Sequence, residues 1–538
     1  MIPHLRRGIV PLAIGVIVAL AYWPGLHAFW GRDDFMQLAF ARLLGSPWPL
    51  FVHDHYFPVP GSIFRPLGFA SFWLWQALFG TDYFAHAFAD MLLHIAVAIV
   101  LYRVMRSAID PMPAALCALL FAVHPAVIGT ALWWSARFDL LAALFAFVAM
   151  SAAFDYAESK RKAALLIAGA GLLAALLSKE TALAASLALA LVFVRRALAD
   201  SAQRASAIRA LAAVVSITIV FLIWRGLVLG TATSGLAGET SLVAAGGKGF
   251  VDWFRHLAGY LSFWPRLGAT ERIIEAGVLL AAMGCFLVAR RRGGTEPLAP
   301  REVDLVLSGL SLAVFSALLQ GPVVALNATP LGAEASAVEA AMQSRLYYLG
   351  FGGFAIALSV PVRRMLAARA PRGRRAFVAG VFAIGAGLFF WISRESAMAY
   401  ANVTSASKPL AEAAAVAVDR LALPPAHCHV VLLGVEPPAE WGIYVSMDSV
   451  VKALSSDLSR VSRCYVHADY PTYFHLMSQG ASPEEAAPYR PRLVGGQPLP
   501  WLHVGDAVAA YVDPPAKPDP AERRGIQFLR FENGTFRD

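Results

Sequence analysis

Phe29-Trp-Gly-Arg-Asp-Asp-Phe35 follows directly on an apolar run from Gly8 to Phe29, and the junction between the two decides how the whole chain is read. About 20 apolar residues cross the hydrocarbon core of a bilayer, whereas adjacent carboxylates are tolerated only at its aqueous edge or in a polar cavity. Arg6 and Arg7 precede the run, so the positive-inside tendency starts it in the cytoplasm and delivers Asp33 and Asp34 to the outer face. It is too long, and too closely followed by further apolar segments, for a cleaved signal. The plain alternative is a pair of solvated acids at a helix end.

Composition settles the class. Of 538 residues 58% are hydrophobic and only 15% charged, with a mean hydropathy of +0.58, which is the profile of an integral membrane protein. The net charge of +9 does not indicate a nucleic-acid partner, because it is unevenly placed. From Asn402 onward there are 12 Lys and Arg against 15 Asp and Glu, so the excess lies upstream, in short basic runs between apolar segments. Cytoplasmic loops have that pattern; a polynucleotide-binding face does not. Four cysteines are too few for a disulfide framework: Cys117 and Cys285 lie in apolar runs, and Cys428 and Cys464, both in the hydrophilic tail, are left as an open pair.

Alternating the basic loops to one side predicts about 11 transmembrane helices. After a long first outer loop (31–83) the chain returns through Phe84 to Val104, goes out through Pro113 to Ile128, and comes back through Leu140 to Tyr156. Ala163 to Leu177 and Ala182 to Val194 follow, then Leu211 to Leu229, an eighth span ending at Arg290-Arg291-Arg292, and Val306 to Ala325, Leu346 to Val362 and Phe377 to Ile392. Within the first loop Phe35 to Leu44 and Leu67 to Phe79 read as helices lying at the membrane interface, and the aromatic stretch around Trp253 and Phe254 as another interfacial segment. Residues 1–398 thus form a membrane domain and 399–538 a small soluble α/β domain. In the latter His429 to Gly434 and Cys464 to His467 read as strands, Ser446 to Leu458 as a helix, and Ile526 to Phe536 as a hairpin turning at Asn533-Gly534.

This topology sends a set of charges to the outer boundary: Asp33 and Asp34, Arg65, His124, Arg137 and Asp139, Lys179 and Glu180, and Arg345 beside Leu346-Tyr347-Tyr348. They come from separate outer turns and can converge on one cavity. Two acids with several cations suit group transfer from a lipid phosphate: a carboxylate takes the proton of an attacking hydroxyl, and Arg or Lys offsets charge on the departing phosphate. Trp133 and Trp134 would stack on a sugar ring or belt the interface. A purely structural reading pairs Arg137 with Asp139 and Lys179 with Glu180, and makes His124, before Pro125, a satisfied helix-end histidine. His53, Asp54 and His55 lack an obvious fourth ligand, so no metal is assigned; the cofactor is left unknown, with a divalent cation still an option.

In order along the chain, the acidic pair, Arg65-Pro66-Leu67, His94, His124-Pro125, Trp134-Ser-Ala-Arg-Phe-Asp-Leu-Leu141, Ser178-Lys-Glu-Thr181 and Arg345-Leu-Tyr-Tyr348 resemble the GT-C superfamily of polyprenyl-phosphate-sugar glycosyltransferases. The likeness is to the membrane part of the tetratricopeptide-repeat O-mannosyltransferases and their bacterial relatives, over roughly 1 to 395. It implies a catalytic acid at Asp33 or Asp34, transfer with inversion, donor-phosphate contacts from Arg65, Arg137, Lys179 and Arg345, and supporting roles for His124, Asp139, Glu180 and Tyr347. Two features depart from that pattern: no 34-residue repeat follows the membrane part, and Gly129-Thr130 stands where relatives often carry an acid after His-Pro. The expectation is an enzyme of a bacterial inner membrane, N-terminus cytoplasmic and C-terminal domain periplasmic. It would move a sugar from undecaprenyl phosphate to a hydroxyl of a lipid, polysaccharide or protein. A transporter or flippase of lipid-linked saccharide, or a non-catalytic scaffold, are the alternatives.

Overall fold

A computed structural model describes residues 3–31, 33–53, 63–230, 249–254, 297–327, 343–367, 372–423, 428–435, 447–462, 464–468, 526–532 and 534–537. Eight of the described helices are long and apolar enough to cross a membrane, and a ninth span is a bent pair, Pro111–Ala122 with Pro125–Leu132, broken by 61°. Lys162–Ser178 is a shorter apolar helix. These match ten of the eleven spans expected; the eighth falls outside the described residues, so the count of eleven is not established.

The helices that position the site are α1 (Pro3–Tyr22), α2 (Asp33–Leu43), α3 (Pro66–Phe79), α4 (Tyr83–Arg106), α5 (Pro111–Ala122), α6 (Ile128–Leu132), α7 (Arg137–Ser159) and α8 (Lys162–Ser178). The bend between α5 and α6 has a local cause. Pro125 has no N–H to give and disfavours helical geometry at His124, which is extended (φ −79°, ψ 142°) and caps the following turn through Nδ1, accepting from Ala126 N at 3.0 Å.

Ion pairs gather the basic loops at one end of the bundle. Arg195 and Arg196 both reach Asp304 at 2.6 Å, Arg196 and Arg301 reach Glu158, and Arg363 joins Glu302 and Asp110. The acids and cations singled out above lie at the opposite ends of the same helices. A buried polar chain fastens the bundle between the two ends. Tyr22 Oη donates to Ala122 O, His94 Nε2 donates to the same carbonyl at 2.9 Å, and the other ring nitrogen, Nδ1, accepts from Tyr348 Oη at 2.7 Å.

Helix Arg372–Ala406 carries the chain out of the membrane part without a break at residue 399 and is followed by Lys408–Arg420. Four strands, β1 (Cys428–Leu433), β2 (Cys464–Ala468), β3 (Ile526–Glu532) and β4 (Thr535–Arg537), form a sheet in the order β2-β1-β3-β4, parallel except for the final hairpin. Gly534, at φ 79°, makes the hairpin turn. Cys464 is disulfide-bonded, and its partner in the parallel register is Cys428. The single helix expected over Ser446 to Leu458 is instead two, Met447–Leu454 and Leu458–Val461, because Ser455 and Ser456 turn aside to Asp419 and Asp457 caps the second helix.

Two further expectations need correction. Helix α2 is covered by protein rather than by lipid: Asp34 through Ala41 are all buried, against α3 and under helix Met447–Leu454 of the tail domain. Arg42 fixes that contact by donating to the carbonyls of Lys452 (3.1 Å), Ala453 (2.7 Å) and Ser455 (2.8 Å), the orphan acceptors of that helix's C-terminus. Trp253 is likewise a core residue rather than an interfacial anchor, its indole donating to Leu346 O at 3.1 Å. Both segments are apolar enough for lipid, but each finds a protein surface to cover it.

Candidate functional site

Asp33 and Asp34 open the first turn of α2, where unpaired backbone N–H groups and the helix dipole favour negative charge. Their fates then diverge. Asp34 is wholly buried and accepts three bonds: Gly31 N on Oδ2 (3.2 Å), and Ser135 N (2.9 Å) and Ser135 Oγ (2.6 Å) on Oδ1. Burial raises its carboxyl to about 7, against the lowering effect of those bonds. Asp33 is half-buried and makes no hydrogen bond or ion pair among the described residues.

Beneath Asp34 lies a cluster of rings and one buried ion pair. Trp134 packs edge-on to Trp30 (4.9 Å), Phe72 (4.5 Å) and His86 (5.1 Å). Arg137, fully buried, donates from Nε to Asp90 Oδ1 at 2.7 Å and from Nη1 to Ser71 O, with its guanidinium over Phe72, Trp75 and Trp134. Its third nitrogen, Nη2, is unspent, as are Asp90 Oδ2, His86 Nδ1 and the indole N–H groups of Trp30, Trp75 and Trp134. Buried polar atoms without partners are costly and uncommon, and this group holds both donors and acceptors, which a polar ligand is able to satisfy.

The remaining cations form a second cluster. Lys179 Nζ is 2.7 Å from both carboxylate oxygens of Asp139, and Arg65 forks onto Glu180, with Nε to Oε2 at 2.8 Å. Arg65 also lies over the Phe138 ring, and Arg345 over Trp133 at 4.2 Å. Arg65 and Arg345 are both close enough to act on Lys179. Burial pushes its ammonium down, and those two positive charges add to the effect against the pull of Asp139. Close packing holds the cluster: a Cβ at Gly68, three residues after Arg65, would sit 2.3 Å from the Phe138 ring, so only glycine lets α3 approach.

Neither sequence-adjacent pair forms. Arg137 and Asp139 are two apart on one helix and so project to different sides, and Lys179 and Glu180 are neighbours across an extended residue (φ −162°, ψ 137°) with the same consequence. All four take partners from other helices instead. The stretch 133–139 touches everything: Trp133 faces Arg345, Ser135 holds Asp34, Arg137 takes Asp90, Phe138 lies under Arg65 and Asp139 takes Lys179.

His124 and Tyr347 stand further back. His124 is buried between Phe351 (4.3 Å) and Phe389 (4.5 Å), and Tyr347 packs on Trp253. The turn after His124 is tied to the Arg345 segment by Gly129 N donating to Ser344 Oγ at 2.7 Å. Asp54 and His55 lie outside the described residues, and among the described residues no three His, Cys, Asp or Glu side chains are grouped to hold a metal. Sequence reasoning missed Asp90, Ser135 and Arg42. Asp90 did carry a signal: it is the lone carboxylate of a 24-residue apolar helix, and such a group requires a buried partner.

A family model described as dolichyl-phosphate-mannose-protein mannosyltransferase matches residues 60–225. That segment, under a third of the chain, holds Arg65, Asp90, Arg137, Asp139, Lys179 and Glu180 but neither Asp33, Asp34 nor Arg345. No curated protein matches the chain. Among solved structures, the oligosaccharyltransferase of Archaeoglobus fulgidus in the apo form aligns with a TM-score of 0.48 at 13% identity, over 86% of this chain and 64% of that one. AglB of the same organism, in complex with an inhibitory peptide and a dolichol-phosphate, aligns at 0.46 and 12%, over 85% and 64%. ArnT from Cupriavidus metallidurans bound to undecaprenyl phosphate aligns at 0.47 and 14%, over 88% and 95%. The chain thus spans about two thirds of the length of the archaeal enzymes. TM-scores below 0.5 assign neither fold nor activity to it. The family match and the ordered motifs carry the resemblance to GT-C glycosyltransferases.

Proposed function

We propose that the chain transfers a sugar from a polyprenyl-phosphate carrier, undecaprenyl phosphate in a bacterial inner membrane, to a hydroxyl group of a lipid, polysaccharide or protein. Transfer takes place at the periplasmic face, with the N-terminus in the cytoplasm and the tail domain in the periplasm. The observation that carries this reading is the division of labour within the acidic pair: one carboxylate is bound by three donors, and its neighbour makes no hydrogen bond or ion pair among the described residues. Asp33 is the general base and Asp34 holds the first turn of α2 against Ser135.

The acceptor oxygen attacks the anomeric carbon as its proton passes to Asp33. The bond from that carbon to the phosphate oxygen breaks, and the electron pair leaves with the polyprenyl phosphate. A single displacement of this kind inverts the anomeric centre. Arg65, Lys179 and Arg345 offset charge on the leaving phosphate, and the unspent Nη2 of Arg137 is a further donor. Asp139 and Glu180 hold Lys179 and Arg65 in place; His124 and Tyr347 support the turns from behind.

The test is incubation of the purified protein, in bilayers, with radiolabelled polyprenyl-phosphate sugars and membrane extracts. Label entering a lipid, glycan or protein fraction, and lost with Asp33→Asn, is the expected result. Full transfer by that variant removes the base assignment, and no transfer to any fraction removes the activity.

A further inference from the structure

An open cleft of about 930 Å³, lined by none of the acids and cations of the candidate site, lies between the outer ends of α1 and α4 and the tail helix Lys408–Arg420. Small-molecule sites occupy roughly 300–1,000 Å³, so its size is that of a ligand site rather than a packing fault. Its lining is mixed in charge, including His27, Asp82, Lys408, Asp419 and Arg420. Lys408 is placed over the Phe29 ring and 3.8 Å from Glu412, whereas Arg420 is exposed and makes no hydrogen bond or ion pair among the described residues. Carboxylates and cations presented together can both accept from and donate to hydroxyls, which suits a polyhydroxylated group better than an ion of either sign.

One wall of the cleft continues down the outside of the bundle as a row of aromatic side chains. His27 and Phe84 line the cleft, with ring centroids 5.6 Å apart; Trp23 packs on Phe84 at 6.4 Å, and Phe88 stacks on Phe84 at 6.2 Å, nearly parallel. Trp23, Phe84 and Phe88 are 46%, 39% and 38% exposed, and they belong to spans Gly8–His27 and Tyr83–Arg106, so the row faces lipid. An interfacial aromatic belt needs no polar cleft at its upper end. Here the two surfaces are continuous, and Tyr83, which also lines the cleft, packs on Trp30 at 5.0 Å and lies within electrostatic reach of Asp34.

We propose that this cleft and aromatic row bind an amphiphile, its saccharide head among His27, Asp82, Lys408 and Arg420 and its apolar tail along Trp23, Phe84 and Phe88. Resting on the glycosyltransferase reading above, this names the acceptor class: a lipid-anchored glycan entering from the membrane along α1 and α4, rather than a protein or a free polysaccharide.

The probe is a dodecyl maltoside carrying a diazirine in its tail, photolysed with the full chain in nanodiscs and mapped by peptide mass spectrometry. Labelling is expected in the peptides holding Trp23–Phe29 and Tyr83–Phe88, suppressed by unlabelled dodecyl maltoside but not by maltose or by added phosphatidylglycerol. Lys408→Glu with Arg420→Glu, both exposed positions, should lower it about tenfold, and Phe84→Ala should lower it independently. Uniform labelling of exposed apolar helix faces such as Ile219–Ile223, suppression by phosphatidylglycerol alone, suppression by maltose alone, or labelling unchanged in both variants each overturns the proposal. Photolabelling reads binding and is repeated on Asp33→Asn, so loss of transfer, which bears on the activity, stays distinct from loss of labelling, which bears on the cleft.

Discussion

The Asp90–Arg137 pair and the Glu180–Arg65 pair are built from the same chemistry a few helical turns apart, yet their surroundings differ. In the first the side chains are 6% and 0% exposed and ringed by Trp134, Phe72 and Trp75; in the second they are 38% and 15% exposed. A charge removed from water depends on its partner, because desolvation costs several kcal/mol per ion and only the pairing offsets it. A half-exposed pair is worth little to stability, and its cation can exchange its partner for an incoming phosphate. Asp34 and Asp33 repeat the contrast at adjacent positions. The lesson is that burial divides the charges here between pairs withdrawn from water and groups that water still reaches.

The strongest way to break that division is Asp33→Asn, for which transfer should fall roughly 10² to 10⁴-fold while the melting temperature is unchanged. A large loss of stability would mean that Asp33 too is structural. Asp90→Asn should do the reverse, leaving Arg137 as an unpaired buried cation and costing about 3–5 kcal/mol of stability. Chemical denaturation of the reconstituted protein measures it, and a stable Asp90→Asn variant would remove the structural assignment.

Asp34 gives the contrast a pH signature. Its folded-state value of about 7 lies above the ordinary 3.8, so the folded protein holds that proton more tightly than the unfolded chain. The resulting stability is whole below pH 3.8 and is lost as pH rises through 7, a few kcal/mol in order of magnitude. Wild type should therefore lose thermal stability relative to Asp34→Asn between about pH 4 and 7; parallel curves would contradict it. Arg65→Ala and Arg345→Ala should each lower kcat/KM roughly tenfold to a hundredfold, with little effect on melting. The smallest effect expected is for Arg42→Ala, which frees the end of α2 from the tail domain; transfer should drop a few-fold and recover in part with Arg42→Lys. An Arg42→Ala protein as active as wild type would make the tail domain irrelevant to the position of the acids.

Much of this was legible in the chain as written. Alternation of basic loops gave the order of spans, because a charge in hydrocarbon is costly whatever the fold around it. The two first-loop helices and all four strands, the last two as a hairpin, followed from local periodicity and turn residues. The pairings were not legible. Arg137 and Asp139, and Lys179 and Glu180, stand together in sequence, but backbone geometry turns each pair apart, and partners came from α4, α7 and α3. Apolar segments were also read as facing lipid when a protein surface covers them: α2 and Trp253 have the composition for either.

Sequence by itself determined that this protein crosses a membrane many times and that its stranded charges collect at one boundary, since the cost of an ion in hydrocarbon depends on residue type and spacing alone. Which of two neighbouring aspartates is held by three donors and which makes no hydrogen bond or ion pair among the described residues, and which arginine is locked in a ring of aromatics, was decided only by tertiary structure. Burial and hydrogen-bond partners are properties of what the other helices bring, and those partners come from 101 residues away for Asp34 and 47 for Arg137.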